Sequence, residues 1–276
     1  MNISDLKVLW DEHGFRPEKL LGQNFLIDKN VRDKIIREIG FVPDDVVIEI
    51  GPGFGVMTLE LAAAVKEVVA VEKDSRVCSI MEEFFEGAGN IKLVEGDFLE
   101  ADIPSLVTGR SIIYGNIPYY ITTPLIEKII ANRPYVKSAY LVMQQEYADR
   151  LAAKPATPEY GSITCFVQFH AAVKKIMKIS RSCFFPQPNV DSCLVRLEIC
   201  DRPPVDVKDP ERMFGIIRKS FSQRRKMMFK VLANDLFLGL DRAGWEDVAV
   251  KCGIGPGKRG EELSLAEFAR ISDAVG

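Results

Sequence analysis

The chain has 276 residues, 47% of them hydrophobic and 27% charged, with a formal net charge of −3. That is enough apolar material for one large domain, or for a large and a small one, and too much for a disordered chain. No apolar run approaches the roughly 20 residues that span a bilayer, and charges interrupt the N-terminal stretch where a secretory signal needs its apolar core, so no membrane association and a cytoplasmic location are expected.

From residue 46 the chain alternates. Strand-like runs at 46–51, 67–72, 91–97, 111–116 and 138–144 are separated by segments with helical apolar spacing, among them 57–65, 76–87 and 124–132. The last of these opens with Pro124 behind a cap candidate, Thr123. This rhythm predicts parallel strands joined by crossover helices on both faces, an open, doubly wound α/β sheet. After Ala172 the pattern changes: 173–180 and 193–199 are strand-like with only a loop between them, and predict an antiparallel pair closing one sheet edge. From Asp201 the proline-bearing run RPPVDVKDP leads into helix-prone sequence that includes LSLAEFARIS. A boundary is therefore expected near residue 200, with a sheet domain over 1–199 and a small helical domain over 200–276.

The first strand ends in Glu49-Ile-Gly51-Pro-Gly53-Phe-Gly55. Glycines allow a sharp turn and a close backbone approach to a ligand. Val56 stands where dinucleotide enzymes carry a third glycine, which favours an adenosyl ligand without a pyrophosphate. Glu72 closes the second strand, placed to accept hydrogen bonds from ribose hydroxyls, and Asp97 closes the third, placed to accept from an adenine amino group. A lone glycine turn is as readily structural, and a lone strand-end acid as readily a solvated charge. Three successive strand ends with this set point to one ligand site.

The fourth strand is followed by Asn116-Ile117-Pro118-Tyr119-Tyr120. The lone pair of a nucleobase amine is delocalised into the ring, so an enzyme that uses the amine as a nucleophile must hold its hydrogens with acceptors. The Asn116 side-chain oxygen and the Ile117 carbonyl fit that role, Pro118 fixes the bend, and Tyr119 offers a face for an unstacked base. A strand-end turn with core aromatics is the alternative. Further on, Arg212 to Lys230 holds seven basic residues and no acidic one, against the negative charge of the whole chain. Its interleaved apolar residues predict an amphipathic helix that shows one face to phosphates. The six cysteines are scattered without a Cys-x-x-Cys pair and there are two histidines. No metal site and no disulfide framework follow, and the thiols are expected to be reduced and mostly buried.

Asn116-Ile-Pro118-Tyr119, with Gly22-Gln-Asn24-Phe-Leu26 before it and Phe184-Phe-Pro186-Gln-Pro188-Asn-Val-Asp191-Ser192 after it, closely resembles the KsgA-type ribosomal RNA adenine dimethyltransferases. The likeness runs over essentially the whole chain with the motifs in order. It implies a class I S-adenosylmethionine-dependent methyltransferase: a Rossmann-like, mostly parallel seven-stranded sheet with helices on both faces, plus a small C-terminal helical domain. It implies S-adenosylmethionine as the cofactor, and Gln23, Asn24 and Leu26 as its closing segment. Gly51 and Gly53 would lie under the cofactor, Glu72 at its ribose, Asp97 at its adenine, and Asn116 between cofactor and target amine. Phe184 would sandwich the flipped adenine with Tyr119. Phe221-Ser-Gln-Arg224-Arg225-Lys226 is similar to the family's C-terminal signature, which puts Arg218, Lys219, Arg224, Arg225 and Lys226 on the RNA surface. The implied activity is N6,N6-dimethylation of two adjacent adenines in the 3′-terminal hairpin of small-subunit ribosomal RNA, by a monomer with a role in subunit biogenesis. Two rivals stand: an Erm-type enzyme acting on large-subunit RNA, and a non-catalytic assembly factor. Leu21-Gly22, the Phe-Ser-Gln-Arg-Arg-Lys segment and the Leu263-Ser-Leu-Ala-Glu-Phe end are closer to the KsgA type.

Overall fold

The computed structural model describes residues 3–17, 23–118 and 121–275, apart from the side chains at 235 and 236. In chain order, α1 (Ile3–Glu12), the two-residue strand β1 (Phe25–Leu26) and α2 (Lys29–Ile39) lead into the alternating part. That part runs β2 (Val46–Ile50), α3 (Val56–Ala62), β3 (Glu67–Glu72), α4 (Ser75–Phe85), β4 (Ile91–Glu95), α5 (Ile103–Leu106), β5 (Ser111–Asn116), α6 (Thr122–Ala131) and β6 (Val136–Gln144). Next come α7 (Gln145–Leu151), α8 (Ser162–His170), β7 (Ala171–Ile179), the short β8 (Phe184–Phe185) and β9 (Ser192–Ile199). The chain closes with α9 (Pro210–Phe221), α10 (Met228–Ala233), α11 (Arg242–Cys252) and α12 (Leu265–Val275).

Seven strands form one sheet in the order β4-β3-β2-β5-β6-β9-β7, and β1 pairs separately with β8. The neighbours from β4 to β6 are parallel, and β9 runs antiparallel to β6. The expected alternation and the expected edge are both present, with β9 and β7 on the side beyond β6. Between β2 and β5 the strand order reverses. Crossovers diverge there, and a crevice opens beyond the carboxyl ends of the strands.

The central strands read as continuous apolar runs because helices cover both faces. Val68 to Glu72 of β3 are all buried, as are Val47 to Ile50 of β2. One apolar layer joins Val47, Val68 and Ile112 of the sheet to Ile35 and Ile39 of α2 and to Met57 and Leu61 of α3. Another joins Leu6, Leu9 and Trp10 of α1 to Phe54 and to Val77, Ile80, Met81 and Phe85 of α4. Local signals set the helix ends. Asp28 caps α2 by accepting from the Val31 amide, and Gly40 ends it at φ +66°, where other residues are strained. Helix α6 departs from expectation: it begins at Thr122, and Thr123 caps nothing, because its hydroxyl bonds the Tyr147 hydroxyl at 2.6 Å. Pro124 still falls in the first turn, where a missing N–H leaves no helix bond unmade.

The chain divides into two compact units, residues 1–148 with 173–199, and 149–172 with 200–276. The expected boundary at residue 200 thus accounts for one crossing, while 149–172 goes with the C-terminal helices rather than with the sheet. The reason is apolar packing: Tyr160, Cys165 and Phe169 share a core with Met213, Ile216, Ile217, Trp245 and Phe268. Within this unit the basic stretch is not a single helix. Helix α9 starts at Pro210 behind the cap Asp209 and ends at Phe221, residues 222–227 form a turn, and α10 follows. The Met228 amide leaves the helical pattern to donate to the Lys258 carbonyl at 2.8 Å.

All six cysteines are free thiols, with Cys78, Cys165 and Cys193 buried and the other three half-buried. No helix among the described residues is long and apolar enough to cross a membrane.

Candidate active site

One cleft lies in the sheet unit at the carboxyl ends of β2 to β5. It is walled by Gln23, Asn24 and Leu26, by Gly51 and Gly53, and by Glu72, Asp97, Asn116 and Pro118. Residues separated by up to 95 positions are thereby brought to one place. The cleft is open at its mouth, with mostly apolar walls and a few converging polar groups, the make-up of a small-molecule site.

The glycine turn makes the floor. Gly51, Gly53 and Gly55 have φ of +62°, +53° and +66°, the left-handed region that a Cβ disfavours. At Gly51 a Cβ would meet no atom within 4 Å, so that position borders open cleft space, whereas at Gly53 it would lie 2.6 Å from Cε1 of Phe25. The Gly53 amide is fixed from β3: it donates to Oε2 of Glu72 at 3.0 Å, and the Asp74 amide donates to Oε1 at 2.9 Å. Glu72 is therefore both cleft wall and tie for the turn. Burial pushes its carboxyl above the usual range, against the two amides that favour its charge.

Asp97 sits in the opposite electrostatic setting. Burial opposes its charge, but the Lys73 ammonium at 2.8 Å and the Leu99 amide at 2.9 Å outweigh it and hold the carboxyl below the ordinary value. It stays ionised and able to accept from an amino group.

The N-terminal segment closes the cleft through three polar ties. Nε2 of Gln23 donates to Asp74 at 3.1 Å, and Nδ2 of Asn116 donates to the Asn24 carbonyl at 2.6 Å. Arg32 donates to the Leu26 and Ile27 carbonyls. Because the Asn116 amide nitrogen is committed to Asn24, its oxygen is oriented away from that segment. Ile117 is buried, its amide donating to the Val142 carbonyl at 3.0 Å, and the Ile121 amide donates to the Pro118 carbonyl, which shapes the bend. Tyr119 lies outside the described residues.

Phe184 is not brought to the cleft. It is 3% exposed in the apolar layer beside Leu26, its β1 partner in register, while the adjacent Phe185 stacks on Trp10 at 5.4 Å. A stacking role for Phe184 therefore needs a change of side-chain position.

Sequence reasoning gave no role to Glu49, which lines the cleft, is 2% exposed, and has a buried Oε2 with no hydrogen-bond partner. Burial, reinforced by the charge of Glu72, pushes its carboxyl up to about 8. An orphaned buried carboxyl oxygen on a ligand cleft is left to hydrogen-bond a polar ligand group. The signal was present, an acid inside the apolar run VVIEI, where solvent cannot reach.

In the helical unit, Arg218, Arg225 and Lys226 are exposed and Lys219 is half-buried. Arg224 is engaged within its own unit. Its Nη2 donates to the Pro158 and Tyr160 carbonyls at 2.6 and 3.0 Å, and its Nε to Glu261 at 3.2 Å. Among the described residues, no group of three or more His, Cys, Asp or Glu side chains is arranged to hold a metal ion.

Comparison with known proteins adds sequence and shape to this geometry. Residues 14–274 match the model of a family described as ribosomal RNA adenine dimethylase. The chain is 41% identical to ribosomal RNA small subunit methyltransferase A of Geobacillus thermodenitrificans, over 98% of this chain and 94% of that protein. It is 40% identical to the protein of the same name from Bacillus cereus, with the same coverage. Among solved structures it resembles a dimethyladenosine transferase from Plasmodium falciparum, with a TM-score of 0.75 and 27% identity over 90% of this chain and 95% of that one. The 23S rRNA methyltransferase ErmE gives a TM-score of 0.70 and 27% identity over 91% and 99%.

Proposed function

From the premise that this chain belongs to the ribosomal RNA adenine dimethylase family, we infer that it transfers methyl groups from S-adenosylmethionine to N6 of adenine in small-subunit ribosomal RNA. The product is N6,N6-dimethyladenosine at two adjacent adenines of the 3′-terminal hairpin, and the reaction accompanies subunit biogenesis. The observation that carries this reading is near-full-length identity to small subunit methyltransferases, joined to one cleft that gathers the glycine turn, Glu72, Asp97 and Asn116. We place the enzyme in the cytoplasm, as a monomer.

The cleft fits an adenosyl amino acid on its own chemistry: left-handed glycines that leave space, acceptors at two strand ends, and an unpartnered carboxylate oxygen at Glu49. When bound, S-adenosylmethionine supplies an electrophilic methyl carbon on a sulfonium. Glu72 accepts from the ribose, Asp97 accepts from the adenine amino group, and Gln23, Asn24 and Leu26 close over the methionine part. The Asn116 side-chain oxygen and the Ile117 carbonyl hold the target amine hydrogens and favour a pyramidal nitrogen with its lone pair directed at the methyl group. As the N–CH3 bond forms, the S–CH3 bond of the sulfonium would break and the thioether S-adenosylhomocysteine would leave; the methylated amine, made strongly acidic, would lose its proton to water, so no side-chain base is needed. Tyr119 supplies a face for the flipped base, and Phe184 the second one only after its side chain leaves the apolar layer. Arg218, Lys219, Arg225 and Lys226 contact phosphates, with Arg224 holding the turn that presents the last two.

The test is transfer of labelled methyl groups to purified small subunits lacking the modification, with large subunits in parallel, followed by nucleoside analysis. Dimethyladenosine in small-subunit RNA alone is the expected result. Label in large-subunit RNA alone would install the Erm-type reading, which the likeness to ErmE keeps as the second choice.

A further inference from the structure

A fully buried guanidinium stands behind the cleft wall. Arg32, on α2, is 2% exposed, although arginine is almost never buried without partners. Its Nε donates to Oε1 of Glu60 on α3 at 2.8 Å, and its Nη1 donates to the Ile27 carbonyl at 2.8 Å and the Leu26 carbonyl at 3.3 Å. One side chain thus links the segment that closes the cleft to the helix that begins at the glycine turn.

The closing segment depends on such a link. Strand β1 is two residues long and pairs with the two residues of β8, with the Ile27 amide donating to the Cys183 carbonyl beside them at 2.9 Å, a short ladder for fixing its own position. Its N-terminal side is tied through Gln23 and through Asn24, whose carbonyl receives Nδ2 of Asn116. On its C-terminal side the Leu26 and Ile27 carbonyls meet Arg32. The planar fork of arginine reaches a carboxylate and two carbonyls together, which a lysine ammonium on a single-point stem does not.

We propose that Arg32 is a positioning residue for methyl transfer: bridging Glu60 to the Leu26 and Ile27 carbonyls, it sets the place of Asn24 and Leu26 against the cofactor. The inference rests on the cofactor site described above. Arg32 touches neither the cofactor nor the target amine, and β5 anchors the Asn116 backbone while the Asn116 side chain is tied to the Asn24 carbonyl. Loss of Arg32 therefore falls first on cofactor capture and, through Asn24, to a smaller extent on the transfer step.

The experiment compares wild type, R32K, R32M and R32M/E60Q in the full-length protein. It reads S-adenosylmethionine affinity by calorimetry, KM and kcat on small subunits, and the melting temperature. R32M weakens cofactor binding and raises its KM at least tenfold, with a smaller fall in kcat at saturation, and R32K falls between. The double variant separates positioning from fold maintenance. Removing the half-buried Glu60 charge that R32M leaves unpaired recovers part of the melting temperature, while cofactor affinity stays low because the two carbonyls remain unheld. Recovery of affinity in R32M/E60Q along with stability would overturn the proposal, as would wild-type affinity in a folded R32M. A wild-type protein that binds no S-adenosylmethionine would instead overturn the cofactor reading and this inference with it.

Discussion

Three consecutive cations, Arg224, Arg225 and Lys226, have different surroundings, and the difference predicts different salt responses. Arg224 is held by two backbone carbonyls and Glu261, across to the loop around Tyr160. The side chains of Arg225 and Lys226 are exposed and make no hydrogen bond or ion pair among the described residues. Each phosphate neutralised releases counterions worth a slope of about 0.7–0.9 in log K against log salt. Replacing Arg225 and Lys226 together by alanine should flatten the slope for small-subunit binding by about 1.4–1.8, with S-adenosylmethionine affinity unchanged. R224A should leave the slope nearly intact and lower the melting temperature by a few degrees, since its hydrogen bonds contribute about 1 kcal/mol each at most in this half-exposed place. Filter binding or fluorescence anisotropy over 50–300 mM salt (about that range suffices) with parallel thermal melts makes the comparison. An R224A slope as flat as that of the pair, or an unchanged slope in the pair, would refute the division of roles.

Other consequences test the cleft. G53A places a Cβ 2.6 Å from the Phe25 ring at a left-handed φ, so it should cost about 1–2 kcal/mol in stability and weaken cofactor binding, read by melts and calorimetry. N116A should reduce turnover by at least about a hundredfold, the scale of losing one preorganised transition-state contact, with a smaller loss of cofactor affinity, separable in single-turnover assays. Glu49, with its carboxyl raised from 4.5 to about 8, keeps its proton in the folded state while the unfolded chain ionises. Its contribution to stability is full at low pH and is lost as pH rises towards 8, so E49Q should flatten the decline in melting temperature over that window. An unchanged pH slope in E49Q would mean that another group causes the decline.

Much of the sheet was legible because its strands are short apolar runs that end in residues with a reason to be there: Gly51, Glu72, Asp97 and Asn116 all reach one cleft. What sequence hid was tertiary. Arg32 reads as one more cation on an amphipathic helix, and only the fold shows it turned inward onto carbonyls six and five residues earlier. The basic stretch has continuous helical spacing, yet α9 ends at Phe221 and α10 begins at Met228, whose amide donates to the Lys258 carbonyl thirty residues away. The sequence between 149 and 172 carries no signal for which core receives it, and only the fold joins Tyr160, Cys165 and Phe169 to the C-terminal helices. Phe184 followed motif spacing towards the cleft, and local packing turned it into the apolar layer.

The double passage of the chain through the helical unit bears on how the protein emerges from a ribosome. Strands β2 to β6 are all available once Gln144 has been made, and their parallel pairing can proceed. Residues 149–172 appear next, yet the core that Tyr160, Cys165 and Phe169 share includes Met213, Trp245 and Phe268, made much later. Strand β9, which lies between β6 and β7, is made after β7, so the sheet edge is also completed out of order. For nearly the last third of synthesis the nascent chain carries an apolar helix without its core. A message truncated between Ile199 and Phe268 would yield a product with all its sheet strands and an α8 whose core is incomplete, the kind of surface that chaperones and proteases bind.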